Sequence, residues 1–283
     1  MSFLAFLLPY EPSPTVIACC GMAALAYLRG QARGAGGGVA RSAAFWLGLA
    51  LIYAALQTQW DYYALHMFFL HRLQHLALHH VGPFLIVLAA PGATLLAGAP
   101  KPVRRFVVAP LARNRTLGAL YRGVQQPAVA GLLFVGLIYF WLIPPLHFIA
   151  MLNVPLYNAM NWGMALDGLL FWWVALGPRP DGTNANRYYG GRFLLLTLVM
   201  LAEVPIGARI DLGRSDLFSV YEACGRVWPI DPLTDQQIGG LITWIPPMTL
   251  CVIGLLVVLR RWTQEETVVG RGERACDGLA RSA

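Results

Sequence analysis

The sequence predicts an all-α, polytopic integral membrane protein with seven transmembrane helices, its N-terminus outside and its C-terminus inside. Three observations carry this. The chain of 283 residues is 57% hydrophobic and only 12% charged, about half the roughly 25% of a soluble globular domain. Seven apolar segments recur along it. Its cations also fall overwhelmingly on one side of those segments.

The segments are 14–29, 43–58, 66–98, 127–149, 153–176, 192–208 and 238–259. A helix needs about 20 residues to cross the hydrocarbon core, so the first, second and sixth are short and the third is too long. The first follows a start with no basic n-region that meets Pro9 and Glu11 at once. It therefore reads as an uncleaved insertion signal rather than a signal peptide. The third is expected to begin as a polar, interfacial helix and to kink at Pro83 and Pro91 in its apolar half. The fourth ends in Trp141-Leu-Ile-Pro144-Pro145-Leu-His147. A loop rich in Asp, Gly and Pro, about 209–237, precedes the last span. Residues 1–262 form the membrane domain, and 263–283 read as a polar, disordered cytoplasmic tail.

Seven spans place loops 1–2, 3–4 and 5–6 on the side of the C-terminus. Those segments hold seventeen of the 21 Lys and Arg residues, whereas the opposite side holds Arg209, Arg214 and Arg226, and Arg72 lies within a span. That asymmetry is the positive-inside signature. The same layout, short basic loops between apolar runs, accounts for the net charge of +7 without nucleic acid. The five cysteines are odd in number and lack metal-finger spacing, so no disulfide framework is implied.

Five of the six histidines fall within fifteen residues: His66, His71, His75, His79 and His80. Ionisable or polar groups at membrane depth point to function, and imidazole is the commonest protein metal ligand. The topology puts His66, His71 and His75 at the outer end of span three, with His147 at the same face. On a helix of 3.6 residues per turn, His71, His75 and His79 form one stripe, while His66 and His80 point elsewhere. Metal ligation is the favoured reading for the His71/His75 pair. Packing is favoured for His80 and His79, and for His147 the two readings are balanced. Met67, Met151, Met160 and Met164 lie at similar depth; thioether and imidazole together suit Cu(I), although methionine is also an ordinary core filler. Among the charges within spans, Arg72 is expected to pair with Glu203, and Asp167 lies deeper. Span seven opens with Thr234-Asp235-Gln236-Gln237-Ile-Gly239-Gly240-Leu-Ile-Thr-Trp244. Thr234 and Gln237 read as a capping box, Asp235 favours the helix dipole, and the two glycines permit close helix approach.

Three stretches resemble the CtaG (caa3-type) cytochrome c oxidase assembly proteins. They are His71-Arg72-Leu-Gln74-His75 through Pro83 to Pro91, Gly168-Leu-Leu-Phe171-Trp172-Trp173, and Asp235-Gln236-Gln237 through Gly240 and Trp244 to Pro246. They come in family order and cover about residues 60–260. The resemblance implies a non-enzymatic factor of the bacterial inner membrane that supports copper loading of a haem–copper oxidase. Its partners would be an oxidase subunit, membrane lipid and a periplasmic copper donor. The implied ligands are His71 and His75, with Asp235 and Gln236 in the second motif. Two departures stand out: Arg72 replaces the family's methionine, and Asn161-Trp-Gly-Met164 occupies the helix where many relatives carry further histidine. His147, His66 or Met164 would then complete a Cu(I) site. A b-type haem carrier, a copper permease and a metal-free assembly scaffold are the competing readings.

Overall fold

The computed structural model describes residues 11–179 and 184–282, with side chains at 107, 112 and 268–282 left aside. The regular elements among the described residues are all helical. Helix α1 is Pro14–Ala32 and α2 is Val39–Gln57. The third segment is divided. It comprises α3 (Gln59–His66), α4 (Phe68–His75), a π-helical turn (Leu76–Val81), α5 (Gly82–Leu88) and α6 (Gly92–Gly98). Short helical turns over 101–113 lead to α7 (Arg115–Val124) and α8 (Pro127–Trp141). Then come α9 (Pro144–Leu152), α10 (Val154–Leu176), α11 (Ala185–Asp211), the single turn α12 (Val220–Ala223) and α13 (Pro232–Ser282).

Three of these helices are long and apolar enough to cross a membrane: α2, α11 and the Pro232–Thr267 part of α13. Two bent pairs, Phe68–Leu88 with α6 and α7 with α8, raise the number to five if each is one span. Of the seven expected segments, the remaining two are α1 and α10, with 19 and 23 residues. Their apolar character is diluted, by Arg29 and Gln31 in α1 and by Asn158, Asn161 and Asp167 in α10.

The breaks in the third segment have local causes. Met67 is extended, at φ −140° and ψ 125°, which ends α3 and starts α4 afresh. Pro83 follows the π-helical turn, in the first turn of α5, where its missing N–H costs least. Pro91 sits at the 78° bend into α6, beside Ala90 at φ 49°, a left-handed conformation that a β-carbon rarely adopts. The last helix also starts differently from the expected capping box. Its N-terminal N–H groups, those of Leu233 and Thr234, donate to Asp231 Oδ2 at 3.1 Å, so the cap lies three residues before Thr234.

Among the described residues the buried apolar side chains form five clusters, of which two frame the histidine helix. One gathers Phe84, Phe134, Phe171, Trp172 and Val199. The other gathers Phe68, Met151, Met160, Met164, Phe218 and Tyr221 around the start of α4. Glycine lets some helices touch backbone to backbone. A β-carbon on Gly98 of α6 would lie 1.7 Å from the Ala26 carbonyl oxygen of α1, and one on Gly240 would lie 2.4 Å from Asp211 N. Gly98→Val must therefore push α6 off α1, and overpacking of this kind costs about 1–3 kcal/mol. Gly92→Ala, where a β-carbon meets nothing within 4 Å, is the matched control. Denaturant unfolding in detergent is expected to separate the two variants; equal midpoints would contradict the contact.

Candidate metal centre

The site is built from the break at Met67 outward. A new helix beginning at Phe68 exposes free N–H groups that need acceptors. Asp235 of α13 supplies them across the bundle. Its Oδ2 accepts from Phe68 N at 3.0 Å and its Oδ1 from Phe69 N at 2.8 Å. Its negative charge also faces the positive end of the α4 dipole. Asp235 is fully buried and ion-paired with Arg226. The acidic residue of the second motif therefore caps the histidine helix.

One turn into α4 come His71 and His75, both buried, with ring centroids 4.3 Å apart. None of their four ring nitrogens has a hydrogen-bond partner. The Asn161 amide stands beside His75 without completing a hydrogen bond. Leaving a buried polar group unsatisfied costs about 1–3 kcal/mol, so two neighbouring imidazoles in this state are an arrangement that needs a reason.

Each of the other histidines has a polar neighbour for one ring nitrogen at least, although His79 Nδ1 and His80 Nδ1 are also buried without a hydrogen-bond partner. His147 lies at the start of α9 with its ring centroid 5.2 Å from that of His71. Its Nδ1 is 3.0 Å from the Trp141 carbonyl and its Nε2 is 2.9 Å from the Tyr221 hydroxyl. His79 does not extend the His71/His75 stripe as another free ring, because the π-helical turn changes the register after His75. Its Nε2 meets Asp167 Oδ2 at 3.0 Å, and its ring stacks on Phe134 at 3.9 Å. His80 Nε2 is 3.8 Å from Glu203 Oε1. His66, on α3 beyond the break, bonds the Gly225 carbonyl at 2.8 Å. Arg72 donates to Thr243 Oγ1 at 3.0 Å rather than closing an ion pair on Glu203. Met164 is buried in the core that holds Phe68, Met160 and Tyr221.

The remaining motif residues act on the frame of the site. Gln74 turns away from the histidine pair. Its Nε2 donates at 2.7 Å to both the Ala55 carbonyl and Asp61 Oδ1, which also accepts from Tyr157 Oη at 2.7 Å. Burial raises the Asp61 carboxyl above its ordinary value, against the lowering effect of the hydrogen bonds from Tyr157 and Gln74. Gln74→Ala leaves two acceptors short of a donor, so it is expected to cost about 1–3 kcal/mol in detergent unfolding. A melting curve identical to that of the parent would contradict this role. Gln236 clamps the loop between α11 and α12: its Oε1 accepts from Leu217 N at 2.6 Å and its Nε2 reaches the Ile210 and Ser215 carbonyls at 3.2 Å. Gln237 is partly exposed. Trp244 packs against Gly207, where a β-carbon would lie 2.5 Å from the indole.

Sequence reasoning missed Asp61, Tyr157 and Tyr221, each of which bonds a motif residue or a candidate ligand. The aromatic and acidic run Gln59–His66 offered a signal for Asp61. Tyr221 sits in a loop with no periodicity to mark it.

Imidazole nitrogens without protons or partners can hold a late first-row metal, and a soft, low-coordinate ion fits two of them best. Among the described residues, no group of three or more His, Cys, Asp or Glu is placed to hold a metal. The pair alone supplies two candidate donors and not a complete cage.

The model of the cytochrome c oxidase caa3 assembly factor family matches residues 24–265. Two curated relatives are similar to this chain: uncharacterized protein Mb0105 of Mycobacterium bovis and uncharacterized protein MT0111 of Mycobacterium tuberculosis. Each is 27% identical over 224 residues, covering 75% of this chain and 32% of the relative. The chain thus spans about a third of the length of the curated relatives it matches. No solved structure matches it.

Proposed function

The chain belongs to the cytochrome c oxidase caa3 assembly factor family, and from that premise we propose that it holds Cu(I) between His71 and His75 and passes it to an oxidase subunit. The observation that carries this reading is the unpartnered state of all four ring nitrogens of two adjacent, buried imidazoles. Copper here is cargo. Loading and delivery are ligand exchange, with no bond made or broken in an organic substrate, so the protein acts without catalytic turnover.

Seven spans are supported by adding α1 and α10 to the five that are apolar enough. In that arrangement the Lys and Arg asymmetry favours the N-terminus outside and a cytoplasmic segment from residue 263. The histidine pair then lies toward the outer face of a bacterial inner membrane, where a periplasmic donor would supply the ion. Ring centroids 4.3 and 5.2 Å apart suit a bare ion better than a porphyrin sandwiched between axial imidazoles. The polar groups below the pair, His79 with Asp167 and His80 near Glu203, face one another, which favours a holding site over a permeation path.

The test is direct. The full chain, purified in detergent, is exposed to Cu(I), freed of excess metal and assayed for copper. About one ion per chain is expected. Protein that retains no copper, yet restores oxidase assembly in a strain lacking the gene, would establish the metal-free scaffold instead.

A further inference from the structure

His147 differs from the other five histidines in how both ring nitrogens are used. The Trp141 carbonyl oxygen can only accept, so Nδ1 carries the proton and donates to it. Nε2 is then the lone-pair nitrogen, and the Tyr221 hydroxyl donates to it at 2.9 Å. An imidazole whose N–H is held by a backbone carbonyl, leaving the other nitrogen to a cation, is the arrangement metal-ligating histidines use. In this structure a phenol hydroxyl stands where the cation would bind.

Position supports the same assignment. Tyr221 is fully buried on α12, with its ring centroid 5.9 Å from His147 and 6.5 Å from His71. The His147 ring itself stands 5.2 Å, centroid to centroid, from that of His71, so displacing the hydroxyl and turning the ring would add a third imidazole to a pair that is not completed as it stands. A cleft of about 210 Å³, lined by Pro144, Pro145, Phe148, Leu217 and Ser219, reaches His147 from the surface. The loop that forms one wall is the loop Gln236 clamps at Leu217.

We propose that His147 is a third Cu(I) ligand, masked by the Tyr221 hydroxyl until the ion arrives through this cleft. This rests on the copper reading above. The exchange is balanced: an O–H···Nε2 hydrogen bond is replaced by an Nε2–Cu(I) bond, the phenol keeps its proton and no electron moves. The reverse exchange lowers the coordination from three imidazoles to two and loosens the ion for delivery. Tyr221 is thus a positioning residue that sets how tightly the site holds its cargo.

The full chain in detergent, titrated with Cu(I) against a chromophoric chelator, tests this. The variants are Tyr221→Phe, His147→Gln and the two combined, with X-ray absorption counting the imidazoles on the metal. Tyr221→Phe keeps the ring and removes the mask. It is expected to tighten binding by roughly tenfold, the value of one net hydrogen bond. His147→Gln keeps an amide donor for the Trp141 carbonyl and is expected to weaken binding and reduce three imidazoles to two. In the double variant the effect of Tyr221→Phe should vanish. Unchanged affinity in Tyr221→Phe, with two imidazoles on the metal in parent and His147→Gln alike, would overturn the masked ligand and leave the His71/His75 pair standing. Copper retained by none of the proteins, the parent included, would overturn both.

Discussion

Replacing His71 and His75 together is expected to abolish Cu(I) retention while leaving the bundle at least as stable as the parent. The two halves of this expectation have one origin. Four buried ring nitrogens lack partners, and each unsatisfied group carries a cost of about 1–3 kcal/mol. Histidines kept for folding would be hydrogen-bonded, as His147 is. The double alanine variant removes the nitrogens and leaves a cavity, so its two energy terms oppose each other. The double leucine variant removes the nitrogens and fills the space. It is therefore expected to melt at or above the parent by about 1–3 kcal/mol in detergent. Copper bound to either variant as tightly as to the parent would sink the pair as ligands. A leucine variant that unfolds would show that the imidazoles satisfy a structural need.

Asp235→Ala is the substitution expected to damage the fold most. It withdraws the acceptors of two N–H groups at the start of α4 and leaves Arg226 without its counterion. Breaking a buried pair by removing one partner costs about 3–5 kcal/mol. The consequence for function is geometric. His71 lies three residues after Phe68, so fraying of the first turn of α4 displaces the ring that would meet the metal. Asp235→Asn keeps one acceptor and turns a donor toward the other N–H, giving an intermediate loss. Unfolding midpoints ordered parent, Asn, Ala, with Cu(I) affinity falling in the same order, are the expected result. An alanine variant that melts with the parent would show that the cap contributes nothing.

The helical class of the described residues and the general placement of the apolar segments were legible, because 20-residue apolar runs report directly on helices in lipid. The His71/His75 pair was legible because i and i+4 on an α-helix must be neighbours. The same rule puts His79 on their stripe, where packing was the favoured reading, and its ring is engaged by Asp167 and Phe134. The rule assumes 3.6 residues per turn throughout, and the π-helical turn at Leu76–Val81 departs from it. The roles of Asp235 and Gln236 were illegible for a different reason. Their partners, Phe68, Phe69 and Leu217, lie 167, 166 and 19 residues away, and a local capping motif at Thr234 offered an adequate but incorrect account. Arg72 was paired with Glu203 on charge and predicted depth, whereas in the structure it meets the hydroxyl of Thr243.

The π-helical turn also divides one span into two angular frames. The N-terminal frame carries His71 and His75. The C-terminal frame, from Gly82 on, is locked by backbone contact: a β-carbon on Gly82 would lie 3.3 Å from the Gly48 carbonyl oxygen, and one on Gly48 would lie 2.7 Å from the Gly82 carbonyl oxygen. In a uniform α-helix, a shift of one residue rotates everything beyond it by about 100°. A stretch that holds nearly one residue more per turn sets the two frames at an angle that no uniform α-helix would give them. The direction in which His71 and His75 face is therefore set by the winding at 76–81 as well as by the packing of α5 on α2.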